Sequence, residues 1–410
     1  GESTSKAFEF LYQSSHLNLT HNLYSNNGAQ LLLQSAISSR LGLSHLSGSY
    51  SAILLDCYRT TCPVEEVIKA TCRLAYSAAQ QGLYKASSRL LETIPPSAHR
   101  TLKFHQYIVA YSGLLKLKRA LHRGDTISAE FLLRQLKPSG PTDPELSLHV
   151  ALLDVEYLML KGPGSLNTAL DRIESLAEDY KTDGDVAQRV HLLTLKAQLF
   201  AGAGQPLRGF SVAMRAASTS LRARIMPNLW EATGAVANCL LALEEYDAAR
   251  RMLDSTIPQA IEGGDLSLVA KLYSLQADAW MGLAGQQSAQ EQARQRTKNV
   301  SKAKMYIDRA LEMYTQIDSL RGRCDMLAKK ALIAQLRGDA GLAQKYAEEY
   351  VAATEAETER AENIQEVPHA SVGIQESKVE ARAGGTLGRE SVRDSRRRRT
   401  QMGLGIQRGE

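Results

Sequence analysis

Apolar and small residues recur along the chain at steps of three and four, and polar or glycine-containing turns interrupt them at regular intervals. The stretch from Trp230 to Pro258 shows the unit. A first helix is predicted from about Pro227 to Leu243, with Trp230, Thr233, Val236, Ala237, Leu240 and Leu241 on one face. That i, i+3, i+4, i+7 spacing marks an amphipathic helix. Glu244-Glu245-Tyr246-Asp247 reads as a turn. A second helix follows with Ala248, Ala249, Met252, Leu253 and Thr256 inward, and Pro258 marks its expected end.

The same skeleton repeats. Its fixed point is a small residue early in each second helix: Ser47, Ser87, Ala129, Ala169, Gly209, Ala249, Ala303 and Ala343. The steps between them are 40, 42, 40, 40, 40, 54 and 40 residues. A constant period between about 20 and 50 residues is the mark of a solenoid, whose units pack only on their neighbours. The order of turn, aromatic, then Ala three residues on, seen at Tyr246 and Ala249, fits the tetratricopeptide pattern. Small residues are needed there because the two helices cross closely. A branched side chain at Ala249 is expected to cost about 1 to 3 kcal/mol by overpacking. Glycines at Gly82, Gly124, Gly162, Gly204 and Gly338 end the first helices as C-caps. HEAT repeats also run near 40 residues and are the structural alternative, but they lack this turn. The predicted fold is all-α: a tetratricopeptide-like right-handed superhelical solenoid of about eight helical hairpins, with helices lengthened to fill the period.

The repeat array is predicted over residues 26–362. Residues 1–25 form a lead-in with one helix over Ser5 to Tyr24, and Asn26-Asn27-Gly28 make a turn before the first full repeat. The long step of 54 contains a polar insert, Gln286 to Lys298, with no apolar face, expected as a solvated loop. Glutamates toward Glu362 suit a capping helix. Residues 363–410 lose the helical pattern and are expected to be a disordered basic tail. The chain starts at Gly1 without a methionine, and is expected to be part of a longer protein.

Aromatic residues make up only 6% of the sequence, so leucine and alanine must do most of the packing. Net charge is +5, but Lys and Arg exceed Asp and Glu by 4 after Pro368 alone, which leaves the repeat body nearly neutral. A nucleic-acid-binding body should instead carry a basic stripe. The tail holds the one strong charge run, Arg396-Arg397-Arg398-Arg399, a possible basic import signal. On the predicted helix Leu102 to Arg123, Lys116, Arg119 and Arg123 share one face, and Lys118 pairs with His122 on another. These residues are candidates for docking an acidic partner segment, against the plainer reading of a solvated face.

No catalytic, cofactor-binding or metal-binding constellation emerges. No phosphate or dinucleotide loop and no nucleophile elbow is present. His105, His122, His149 and His191 fall on predicted helices and read as satisfied or exposed helix residues. The five cysteines show no metal spacing and read as free thiols, with Cys57 and Cys62 expected to be buried. Tyr107, Tyr111 and Trp280 are candidate interface anchors, with core packing the stronger reading. No cofactor is expected.

Three stretches carry a family resemblance: Asn26 to Gln34 (NNGAQLLLQ), Phe104 to Tyr107 (FHQY) and Leu115 to Asp125 (LKLKRALHRGD). They resemble subunit 5 of the anaphase-promoting complex in its fungal form, over roughly residues 25–360. The family has a further N-terminal helical domain, which this chain is expected to lack, and the basic tail is not one of its features. The resemblance implies a non-catalytic scaffold subunit of a multi-subunit cullin-RING ubiquitin ligase acting in mitosis. Its partners would be the large scaffold subunit, subunit 4 and other repeat subunits of that complex. No nucleic acid, membrane or small-molecule substrate is implied, and the expected location is nucleus and cytoplasm. Two other readings stay open from the residues: a peptide-binding adaptor, and the repeat region of a longer signalling or regulatory protein.

Overall fold

The computed structural model describes residues 24–40, 44–95, 102–136, 144–179, 186–286, 293–317 and 319–365, with scattered positions between 6 and 21. Two compact units divide the chain, Gly1–Thr358 and Glu359–Glu410. Of the second, only 359–365 is described, so Arg396, Arg397, Arg398 and Arg399 lie outside the described residues.

Sixteen α-helices form eight consecutive pairs among the described residues. The pairs are α1 (Tyr24–Arg40) with α2 (Ser44–Cys57), α3 (Val64–Gln80) with α4 (Tyr84–Glu92), and α5 (Leu102–Arg123) with α6 (Thr126–Leu136). Then come α7 (Pro144–Lys161) with α8 (Leu166–Asp179), α9 (Val186–Gly202) with α10 (Pro206–Ala223), and α11 (Met226–Ala242) with α12 (Tyr246–Glu262). The last are α13 (Leu266–Gly285) with α14 (Ala293–Gln316), and α15 (Leu320–Leu336) with α16 (Ala340–Gln365). No strand occurs among the described residues. The protein is an all-α helical-repeat solenoid.

Every periodic small residue lies on the second helix of its pair and is buried: Ser47, Ser87, Ala129, Ala169, Ala249, Ala303 and Ala343 are between 0% and 7% exposed, and Gly209 is buried in α10. In seven of the pairs it is the fourth residue of that helix. Its N–H closes the first helical turn, as in Ala249 N to Glu245 O at 3.1 Å and Ala129 N to Asp125 O at 3.2 Å. At Gly209 the crossing leaves no room for a side chain. A Cβ built there would stand 2.8 Å from the Ala197 carbonyl oxygen and 3.0 Å from Cys239 Sγ.

The turn inside the pairs recurs as well. Gly82, Gly124, Gly204 and Gly338 hold φ between 72° and 82°. The following N–H reaches back five residues, as in Gln205 N to Phe200 O and Asp339 N to Ala334 O at 2.9 and 3.0 Å. This is a Schellman cap, which asks for a left-handed residue that glycine supplies without a Cβ clash. Glu244 takes the same place with φ 63°, a non-glycine residue in the glycine's role.

The aromatic that opens α12 also has a partner. The Tyr246 ring lies on Gly282 of α13, and Trp230 of α11 lies on Gly263 in the same way. Tyr246 thus seats on a glycine of the next pair, and Trp230 on the glycine that closes its own pair.

Four expectations are corrected. Asn26-Asn27-Gly28 is not a turn but part of α1. Asn27 and Gly28 are buried, Asn27 donates to the Tyr58 hydroxyl at 3.2 Å, and Gly28 faces Cys62. Tertiary packing outweighs the local turn preference. Second, α12 does not stop at Pro258 but continues to Glu262. Ile257 and Ala260 on either side are buried, and that burial offsets the lost hydrogen bond. Third, the insert is not loop throughout, since Ala293 to Lys298 form the start of α14, with Arg294 to Lys298 exposed. Gln, Arg and Lys are good helix formers, and a folded helix behind them supplies the nucleus. Residues 287–292 lie outside the described residues. Fourth, Cys57 is exposed and Cys62 only half-buried, because they sit at the end of α2 and in the turn before α3. Cys72, Cys239 and Cys324 are the buried cysteines.

Candidate functional site: the inner wall of the repeat array

Within the first unit the first helices of successive pairs touch one another: α3 meets α5, α5 meets α7, α9 meets α11 and α11 meets α13. They form an inner wall, and the second helices lie outside it. The array also meets itself. Helix α15 contacts α5, and the turn after α3 packs on the residue that follows α14. A Cβ at Gly82 would come 2.5 Å from the Ile317 Cβ, and Ile317 is fully buried. The inner wall lines an open-sided cavity of about 760 Å³, to which α3, α5, α7, α9, α11, α13 and α15 all contribute.

One rung of this wall is charged. His191, Glu231 and Lys271 line the cavity from α9, α11 and α13, each 40 residues after the last. His191 Nδ1 and Glu231 Oε2 are 3.2 Å apart. Burial pulls the His191 pKa down, but the Glu231 carboxylate beside it outweighs this and holds it above the ordinary value. Burial pushes Glu231 up, and His191, with Lys271 and Lys118, outweighs it and holds the carboxyl well below the usual range. Asp265, which caps α13 by accepting the Leu268 N–H at 3.0 Å, is raised chiefly by burial, against that bond and the nearby Lys271 and Lys118. Lys118 stands on α5, so its field on these three groups reaches them from another helix of the wall.

Asn228 is the other marked residue. It is 6% exposed and lines the cavity. Its Nδ2 donates to the Ala187 carbonyl at 3.3 Å, while its Oδ1 has no partner. Toward the first repeats the wall is aromatic. The Tyr84 hydroxyl meets His122 Nδ1 at 2.7 Å, and the rings of Tyr76 and His149 lie 4.3 Å apart.

A second cluster joins α13 to α15. Lys329 Nζ donates to Ser274 Oγ and Asp278 Oδ2, both at 2.8 Å, and pairs with Asp325 at 3.2 Å. On the outer side a hollow of about 410 Å³ separates α8 from α10 and is bordered by Phe200, Lys196, Glu174 and Arg208.

The structure divides the basic residues of α5. Lys118 and His122 line the cavity. Lys116 is exposed, while Arg119 and Arg123 are half-buried and engaged with neighbours, so these three do not form one open basic face. Among the histidines, His105 is exposed, and His122, His149 and His191 have the partners given above. Tyr111 and Trp280 are core residues at 1% and 7% exposure. Tyr107 is half-buried, its ring 4.9 Å from that of Tyr111. The rung His191-Glu231-Lys271 escaped the sequence reading. Comparing charged residues at the repeat period would have found it. Among the described residues no three His, Cys, Asp or Glu side chains gather as a metal site, and no helix is long and apolar enough to cross a membrane.

In-register hairpins, small residues at each crossing and a recurring left-handed turn define a tetratricopeptide-like helical repeat, a class whose concave and outer surfaces hold other proteins. No protein-family profile matches the chain, and no curated protein does. Among solved structures, the apo form of RapI is similar over 71% of this chain and 77% of its own, at 11% identity and a TM-score of 0.41. A signal transduction ATPase with numerous domains and a tetratricopeptide repeat sensor, from Pyrococcus horikoshii, is similar over 88% of this chain at 16% identity and a TM-score of 0.46. This chain spans 54% of that protein's length.

Proposed function

We propose that this chain is a non-catalytic scaffold subunit of the anaphase-promoting complex, holding the large scaffold subunit, subunit 4 and other repeat subunits in fixed geometry, in nucleus and cytoplasm. One observation carries the scaffold reading: eight hairpins in register, each crossing at a buried small residue, present a long surface. The complex is suggested by the resemblance of Asn26 to Gln34, Phe104 to Tyr107 and Leu115 to Asp125. These segments fall on α1 and α5 and on the turn after α5. Affinity purification of the tagged full-length protein, followed by mass spectrometry, tests the proposal. Recovery of a cullin-like subunit, a RING subunit and several repeat proteins is expected. Recovery of a lone chaperone or kinase contradicts it.

The buried, unpartnered Asn228 Oδ1 favours a second reading, an adaptor that grips a peptide in the cavity. That acceptor would take a backbone N–H from the guest, and burial would make the bond matter. The charged rung argues against a guest of one sign, because His191, Glu231 and Lys271 alternate. Asn228→Ala weakening capture of a peptide partner at least tenfold, with the fold intact, would support the adaptor. Unchanged capture would leave the scaffold reading alone.

A further inference from the structure

Helix α10 carries a pattern that the repeat does not need. Leu207, Met214 and Leu221 stand seven residues apart and are 71%, 44% and 58% exposed. Phe210 and Ala217 fall between them and are half-buried. A seven-residue apolar repeat on a straight helix is the seam on which a second helix packs at a shallow crossing angle. The seam runs about 21 Å from Leu207 to Leu221.

Directly after each seam residue comes an arginine: Arg208, Arg215 and Arg222, all exposed. None of the three makes an ion pair among the described residues. Arg208 donates to the Gln205 side chain at 2.8 Å and stands 4.5 Å over the Phe200 ring, and Arg222 donates to the Ser218 carbonyl. Helix α10 contains no acidic residue, unlike every other second helix of the array. On two other second helices the outer charges pair with one another. On α12, Arg250 pairs with Asp247 and Asp254. On α6, the exposed Ile127 and Phe131 stand beside Glu130 and Arg134, which pair with each other.

We propose that the outer face of α10 is a docking surface for an acidic amphipathic helix of a partner protein. Its apolar residues would lie along Leu207, Met214 and Leu221, and its flanking carboxylates would face Arg208, Arg215 and Arg222. Charge selects this occupant. A second copy of α10 would bring arginine against arginine, which disfavours self-pairing. The proposal does not depend on membership of the ubiquitin ligase.

The test measures fluorescence anisotropy of a labelled three-heptad peptide with leucine at a and d and glutamate at e and g, titrated with the full chain. The control peptide carries lysine at e and g. Saturable binding of the glutamate peptide, weakened by salt, is expected. The lysine peptide should not bind. Affinity should fall at least tenfold in the Arg215→Glu/Arg222→Glu variant, which leaves the Arg208 stacking on Phe200 in place. It should fall similarly in the Leu207→Ser/Met214→Ser/Leu221→Ser variant. Circular dichroism melts establish that both variants fold, and either one alone is enough for the comparison. Equal binding of both peptides, or binding indifferent to charge reversal, would overturn the proposal. So would self-association that the serine variant abolishes, or binding to phosphatidylserine vesicles that the glutamate peptide cannot displace.

Discussion

Gly209 shows how much a single residue can be asked to do. Glycine inside a helix costs roughly 1 kcal/mol relative to alanine, and α10 accepts that cost at its fourth residue. The reason is the Ala197 carbonyl oxygen, 2.8 Å from where a Cβ would lie. Backbone cannot step aside as a side chain can. Gly209→Ala is therefore expected to lower the melting temperature, the reverse of what propensity alone gives. A rise in thermal melts would mean the crossing has slack. The His191–Glu231 pair makes a second, pH-dependent claim. His191 is raised on folding, so its contribution is complete below its unfolded value near about pH 6.5 and fades as pH rises through the folded value. Glu231 is lowered, so its contribution is present above about pH 4.3 and fades as pH falls through its depressed value. Both act together between roughly pH 4.5 and 6.5. The stability gap between the chain and His191→Gln should be widest in that window and shrink as pH rises through the raised His191 value. A gap that grows toward alkaline pH in melts across a buffer series would refute the pairing.

At the scale of elements, the sequence displays the repeat because the crossing constraint is local. Ser47 to Ala343 keep their period since each must be small to let its own two helices meet. The turns are legible for the same reason, as Gly82, Gly124, Gly204 and Gly338 each serve a single cap. Misreadings fall where packing overrides local preference. Asn26-Asn27-Gly28 has turn composition yet is helical under tertiary contacts. The one-sided pattern read on α11 was also too narrow. Asn228, Ala232, Gly234, Ala235 and Cys239 are buried beyond it, because an inner helix has neighbours on several sides. Pro258 is the sharpest case. It lies inside α12 and withholds one backbone donor. Pro258→Ala restores that donor and should stabilise the chain by about 1 to 3 kcal/mol. Urea unfolding gives the sign, and destabilisation would mean that the array relies on a bend at this proline.

For the molecule as a whole, the period identifies stacked hairpins but not how far they travel around an axis. That depends on small rotations summed over many pairs, and the contact that records the sum, Gly82 with Ile317, joins residues 235 apart. No local spacing announces it. The part of Lys118 in the candidate site was hidden for the same reason, since it acts with His191 and Glu231 only because the inner wall brings α5 to the same cavity as α9 and α11. A scaffold gains from this closure, which fixes the hairpins as one frame with a defined inside and outside. The direct measurement is the distance between spin labels at exposed Lys85 and Gln316, beside the two turns that meet, in a chain with Cys57 and Cys62 replaced by serine. A single narrow distribution at the short end of the accessible range is expected, whereas a long or broad one would contradict a closed frame.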